Sequence, residues 1–241
     1  EPSDAQRERL SAEFGIAVQA GADARLAGSE MVVWAVKPQS FPDAALPCAP
    51  HVCGALHLSV MAGIRLAALT RATGAERIVR AMPNTPALIG RGIAGLYAAG
   101  AVSVAERGQV EQVLAATGEC VWVTDERDLD AVTALSGSGP AYVFYLIEAM
   151  MQAGLDMGLS AAQSRQFALS TLAGATALAQ SSSDTPAVLR ERVTSKGGTT
   201  HAAVVQLEAA HVKQAVVQAI RAAQARAHEL GDEYGRASPL G

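Results

Sequence analysis

Aromatic residues are scarce: four Phe, four Tyr and two Trp make up only 4% of the 241 residues. A core built on large rings is excluded, and abundant alanine must let elements pack closely instead. Cysteine is scarce too, at three. That count excludes a disulfide scaffold and, with no secretory segment, predicts a cytoplasmic protein. Positive charge is not in excess, since 19 Lys and Arg stand against 23 Asp and Glu for a net charge of -4. No basic footprint for nucleic acid results. No apolar stretch is long and uninterrupted enough to span a membrane. A strand followed by G-x-G-x-x-G and a helix, the opening of a dinucleotide-binding domain, is also missing. No acid–base dyad stands out.

What remains is a chain that is half hydrophobic, enough for two modest cores. Its first part alternates strand and helix signals. Residues 5–14 read as a helix, and 31–36 as a continuous apolar run suited to a buried parallel strand, stopped by Lys37-Pro38. Further strands are expected at 55–61, 78–82, 93–98 and 120–124, with helices at 65–73 and 104–116. This alternation predicts an α/β fold with a Rossmann-like, doubly wound sheet. Beyond Thr124 the strand signal ends. The expected domains are therefore residues 1–126, Rossmann-like, and 127–241, all helical, with a charged hinge at 125–128 and a frayed tail from Gly235. Helices are expected at 129–157 (broken at a Ser-Gly patch), 161–180 with Ser160 as N-cap, 187–194, 199–207 and 212–230.

Two small-residue patches mark the helical part. In DAVTALSGSGPAYVFY (residues 130–145), Ser136, Gly137, Ser138 and Gly139 give bare backbone and short hydroxyls, and Pro140 suits a first helical turn. In VTSKGGTTHAA (residues 193–203), Gly197 and Gly198 allow close backbone approach, and Thr199 and Thr200 can begin a helix with free N–H groups. Either patch alone equally suits close helix crossing. Together they suggest one small polar ligand.

With VVWAVKPQ (residues 32–39) and RIVRAMPNTPALIGRG (residues 77–92), these patches stand in the order found in pyrroline-5-carboxylate reductases, and the chain resembles that family from about Glu1 to Tyr234. The resemblance implies reduction of 1-pyrroline-5-carboxylate to L-proline by hydride from NADPH or NADH. It implies that Ala35, Val36, Lys37 and Pro38 border the nicotinamide ribose, and that Met82, Pro83 and Asn84 also bind the cofactor as a wall of the active site. Ser3 with Arg7 suits a 2′-phosphate, whereas Glu1 suits a ribose hydroxyl, so the cofactor preference stays open. Substrate is expected against Ser136–Gly139, Ser195, Gly197, Gly198, Thr199 and Thr200, with the carboxylate on the N–H groups of Gly198, Thr199 and Thr200 and the Thr200 hydroxyl near the ring nitrogen as the catalytic group. Lys196 departs from the family, where proline is common. The resemblance also implies a homodimer able to assemble into decamers. Glu1 falls about where the family's second strand ends, so a first β-α-β unit is expected to be missing from this sequence.

Other readings compete. Cys48, His51, Cys53 and His57 offer zinc-type ligands, but Cys53 and His57 straddle the start of a strand, and a loop leading into half-buried strand residues is expected, with no metal. His201 and His211 suit capping or packing. Lys37 also fits a solvated strand end, and MPNTP a simple turn. A two-domain reductase of 3-hydroxy acids would carry a lysine on the helix after the Ser-Gly patch, and residues 141–149 have none. The remaining alternative is a non-catalytic binding protein lacking the cofactor loop.

Overall fold

The computed structural model describes residues 1–236. The chain forms two compact units, one made of residues 1–137 with those from Ala223 on, the other of residues 138–222. The sequence boundary at 126/127 follows the end of the strand signal and so divides the chain by a different criterion.

The first unit opens with α1 (Asp4–Phe14), capped by the Ser3 side chain and closed by Gly15 in the left-handed conformation. Then come β1 (Met31–Trp34), α2 (Phe41–Val52), β2 (Leu56–Ser59), α3 (Leu66–Thr73), β3 (Ile78–Met82), β4 (Gly92–Ala98), α4 (Val104–Leu114), β5 (Gly118–Trp122) and α5 (Asp128–Val132). The five strands lie in chain order. β1, β2 and β3 are mutually parallel, β4 runs antiparallel to β3, and β5 is parallel to β4.

The antiparallel strand corrects the simple alternation expected from the sequence. A parallel return needs a crossover of about a dozen residues or more. Residues 83–91 hold only a short 3-10 turn, Thr85–Ile89, so the chain doubles back. A second correction is α2, which takes in Cys48 and His51 where a loop was expected, and which forms despite three prolines. Pro42 occupies the first turn, where its missing N–H costs nothing. The carbonyls freed by Pro47 and Pro50 belong to Asp43 and Leu46, which are exposed and can be solvated. Phe41, Ala45 and Val52 bury the opposite side and decide the matter.

Both faces of the sheet are covered. Leu56, Leu58, Val79, Ala81 and Leu96 pack with Val110 and Leu114 of α4. On the other face Trp34 and Ile78 pack with Phe41 and Ala45 of α2 and Leu69 of α3. Trp34 meets Phe41 edge-on, ring centroids 5.2 Å apart. β2 is wholly buried, His57 and Ser59 included, as a strand covered on both faces should be.

The second unit begins with α6 (Gly139–Asp156), followed by α7 (Ala161–Ser181), α8 (Pro186–Arg192), α9 (Thr199–Ala209) and the start of α10 (Val212–Arg236), whose later residues join the first unit. Ser160 and Gln163 form a reciprocal capping box on α7. α6 and α7 touch at Gly154, where an added Cβ would fall 2.5 Å from the Ser164 Oγ. Few residues of this unit are buried, and Phe144, Tyr145, Met157, Phe167 and Leu178 are largely exposed. The frayed tail expected from Gly235 concerns mostly residues outside those described. Gly235 and Arg236 themselves end α10.

Candidate functional site

β1, β2 and β3 are parallel, so their carboxyl ends share one edge of the sheet. Ala35, Val36, Lys37 and Pro38 follow β1 there, the first three exposed and Lys37 leading into the 3-10 turn Pro38–Ser40. Met82 ends β3, and Pro83 and Asn84 follow it, all half-buried. Open α/β sheets bind ligands at this edge.

The MPNTP turn is tied down by Asn84. Its Oδ1 accepts the Ile93 N–H at 3.0 Å, and its Nδ2 donates to the Ser136 Oγ at 3.3 Å. Gly92 has no room for a side chain, because a Cβ would lie 2.7 Å from the Thr117 carbonyl oxygen and 2.8 Å from the backbone of Ala87. Sequence reasoning gave Asn84 and Ser136 separate roles and missed the bond between them.

The Ser-Gly patch corrects another expectation. It is not a helix break. α5 passes into a π-helical turn, Thr133–Gly137, and the backbone continues through Ser138 into α6. Ser138, itself in the α-helical region, makes no side-chain cap, and its carbonyl accepts the Ala141 N–H at 3.0 Å. The patch therefore offers fewer free N–H groups than a fresh helix start would. π-turns widen a helix and are frequent at functional sites. Gly137 is small for a reason: a Cβ there would lie 2.6 Å from the Met82 Cε.

The second patch forms a tight turn. Gly197 takes φ +77°, a conformation glycine adopts freely. Ser195 precedes it, exposed, and Gly198 is the N-cap of α9. The Gly198 N–H is already engaged, donating to the Ser195 carbonyl at 3.0 Å. That removes one of the three N–H groups expected for a carboxylate and leaves those of Thr199 and Thr200 at the first turn of α9. Thr199 is exposed and Thr200 half-buried.

At the start of the chain, the Ser3 Oγ accepts the Gln6 N–H, and the Ser3 N–H donates to the Glu1 carboxylate at 3.0 Å. The Arg7 guanidinium donates to the Glu1 and Pro2 carbonyls, each at 2.8 Å, and pairs with Asp4. Glu1, Ser3 and Arg7 thus form one local cluster.

A charged network lies behind the sheet edge, and sequence reasoning passed over it. Arg80 of β3 is 6% exposed and donates to the Glu126 carboxylate at 2.7 Å. The same carboxylate oxygen accepts the Leu66 N–H at 2.6 Å, joining β3 to the start of α3. Burial pulls the Arg80 pKa below its ordinary value, and Glu126 opposes that pull. Beside it, Arg65 pairs with Asp232 at 3.0 Å and His228 with Asp130 at 3.2 Å, fastening the end of α10 to α3 and α5. The signal was present in the sequence as an arginine inside the apolar strand IVRAM.

The cysteine–histidine group does not converge. Cys48 and His51 ride on α2 and Cys53 follows it. His57 is fully buried rather than half-buried: its Nδ1 accepts the Trp34 indole N–H at 2.9 Å, and its Nε2 donates to the Val52 carbonyl at 2.9 Å. Among the described residues no His, Cys, Asp or Glu group is arranged to hold a metal ion. None of their helices is long and apolar enough to cross a membrane.

Comparison with known proteins follows the same lines. The family profile for pyrroline-5-carboxylate reductase dimerisation matches residues 126–230. Over 239 residues the chain is 43% identical to the pyrroline-5-carboxylate reductase of Pseudomonas aeruginosa, covering 98% of this chain and 87% of that protein. It is 36% identical to that of Pisum sativum, covering 95% and 84%. Among solved structures, a pyrroline-5-carboxylate reductase from Coxiella burnetii matches with a TM-score of 0.88 at 31% identity, covering 95% of this chain and 86% of that one. The Plasmodium falciparum enzyme with NADP bound matches with a TM-score of 0.79 at 30% identity, covering 86% and 79%. At such identity and coverage, with a sheet-bearing part followed along the chain by a helical one, this chain belongs to the pyrroline-5-carboxylate reductase family.

Proposed function

We propose that the chain catalyses the reduction of 1-pyrroline-5-carboxylate to L-proline, the last step of proline biosynthesis. The observation that carries this reading is the pairing of family membership with the shared carboxyl edge of β1 and β3, which presents VKPQ and MPNTP side by side across β2. A reduced nicotinamide, NADPH or NADH, supplies the hydride when bound. The exposed Ala35 and Val36, with Lys37 and Pro38, fit its ribose, and Met82, Pro83 and Asn84 form the neighbouring wall. Ser3 and Arg7 lie together at the start of α1, and the Ser3 hydroxyl keeps its own proton for a phosphate oxygen.

For the substrate, the N–H groups of Thr199 and Thr200 at the start of α9 suit a carboxylate. Ser195, Gly197 and Gly198 shape that turn. Thr200, through its hydroxyl, holds the ring nitrogen, and Ser136, Gly137, Ser138 and Gly139 contribute small hydroxyl-bearing surface. A protonated imine needs mainly correct placement, so no acid–base dyad is required.

The helical half assembles the chain into a homo-oligomer, a dimer that can build decamers. The exposed Phe144, Tyr145, Phe167 and Leu178 are what such an interface would cover. The domains are those of the sequence reading, a dinucleotide-binding part to residue 126 and a substrate-binding and dimerisation part beyond it, in the cytoplasm. The test is loss of the nicotinamide absorbance on mixing the protein with pyrroline-5-carboxylate and either cofactor. A folded protein with no turnover on NADPH or NADH refutes the activity. Light scattering on dilute protein should show a dimer or larger, with an interface above about 2,000 Å². A stable monomer of native helicity refutes the assembly.

A further inference from the structure

Asn84 and Ser136 form a pair whose proton arrangement follows from hydrogen-bond chemistry alone. A backbone N–H can only donate, so the Asn84 atom facing the Ile93 N–H at 3.0 Å must be the amide oxygen. The amide nitrogen then faces Ser136, and it too can only donate. The Ser136 Oγ is therefore an acceptor in this bond, and its own proton points elsewhere. Nearby Thr133 spends its hydroxyl proton on the Leu129 carbonyl at 2.7 Å, the usual fate of a hydroxyl inside a helix. Ser136 makes no such bond among the described residues. It is half-buried near the end of a π-turn, engaged by the Asn84 amide as an acceptor, which leaves its own proton for another acceptor.

We propose that Asn84 is a positioning residue, not a cofactor ligand: it fixes the Ser136 hydroxyl as a donor aimed at a carboxylate oxygen of the substrate. This inference rests on the reductase reading. It makes the amide of MPNTP the element that couples the turn after β3 to substrate recognition. The amide oxygen holds that turn to β4, and the amide nitrogen sets the direction of one hydroxyl proton.

The test is a double-mutant cycle. Asn84→Asp keeps an acceptor for the Ile93 N–H, so the turn stays tied to β4. A carboxylate cannot donate, however, so Ser136 must turn its proton back onto it and away from the substrate. The KM for pyrroline-5-carboxylate should rise about tenfold or more, the loss of one hydrogen bond to a charged group. The rise in the substrate KM should exceed any change in the KM for NADPH by at least about fivefold. Ser136→Ala should raise the substrate KM by a similar factor. In the Ser136→Ala background Asn84→Asp should add less than about twofold, because the group it acts through is gone. Calorimetric binding of L-proline should show the same coupling. Factors that multiply independently in the double variant overturn the inference, since charge or general disruption would act without Ser136. So does a rise in the NADPH KM with the substrate KM unchanged, which would make Asn84 a cofactor ligand. A parent protein that neither turns over nor binds L-proline refutes the reductase reading itself. An active parent without the coupling refutes only the role of Asn84.

Discussion

Replacing Gly137 by alanine should leave stability nearly unchanged yet damage activity. Gly137 does not have a left-handed backbone, so alanine meets no torsional penalty there. The cost is one contact: the new Cβ would stand 2.6 Å from the Met82 Cε, with the Thr133 Cγ2 comfortably distant at 3.8 Å. Restoring ordinary van der Waals separation requires the methyl to retreat by about 0.8 Å. Methionine is flexible, and an off-rotamer end costs about 0.5–1.5 kcal/mol. Against this, alanine in helical backbone recovers about 0.5–1 kcal/mol relative to glycine. The two nearly cancel, so urea denaturation should show a change within about 1 kcal/mol. Met82, however, ends β3 at the sheet edge proposed for the cofactor, where a displacement of about 1 Å can cost up to a hundredfold in rate. Steady-state kinetics should show kcat/KM falling by about ten- to a hundredfold. Adding Met82→Ala opens the same space and should recover part of that loss. Full activity in Gly137→Ala, or a stability loss beyond about 3 kcal/mol, would refute the reasoning, the latter because it would mean that Met82 cannot yield.

Three further outcomes are expected. His57 is held neutral: a proton on Nδ1 would face the Trp34 indole N–H, and burial lowers its pKa from the ordinary 6.5. The unfolded chain takes up a proton that the folded one resists, so stability is complete above about pH 6.5 and is lost as pH falls below it. The urea midpoint should drop between about pH 7.5 and about pH 5.5, and less so in His57→Gln, while a flat midpoint in the parent contradicts the assignment. Glu126→Ala strands the buried Arg80 charge and the Leu66 N–H and should cost about 3 kcal/mol in chemical denaturation, whereas Glu126→Gln keeps one acceptor and should cost less. Equal losses would mean that the charge is immaterial. Thr200→Val should lower kcat about ten- to a hundredfold with NADPH affinity unchanged if its hydroxyl holds the ring nitrogen, and an unaltered kcat removes it from the chemistry.

The positions of the strands were legible because they are short and mainly apolar, β1 (MVVW) without interruption and closed soon after by Lys37-Pro38, and such local patterns survive in any packing. Ser160 could be read as a helix cap for the same reason, since the hydroxyl and the N–H that it caps lie three residues apart. The family segments named the chemistry at the same level. Pairing was another matter. Whether β4 runs with or against β3 depends on how little chain joins them, and α2 forms despite its prolines because Phe41, Ala45 and Val52 find a sheet to cover. His57 looked half-exposed until two elements closed over it. The site followed the same division. The sequence identified Asn84, Ser136, Gly137 and Met82 as residues of interest, but they lie in segments some fifty residues apart, and no local rule gives a hydrogen bond or a contact over that distance. Only the folded chain brings the amide to the hydroxyl and the methionine to the glycine, and the direction of one proton and the need for one bare Cα follow from that meeting.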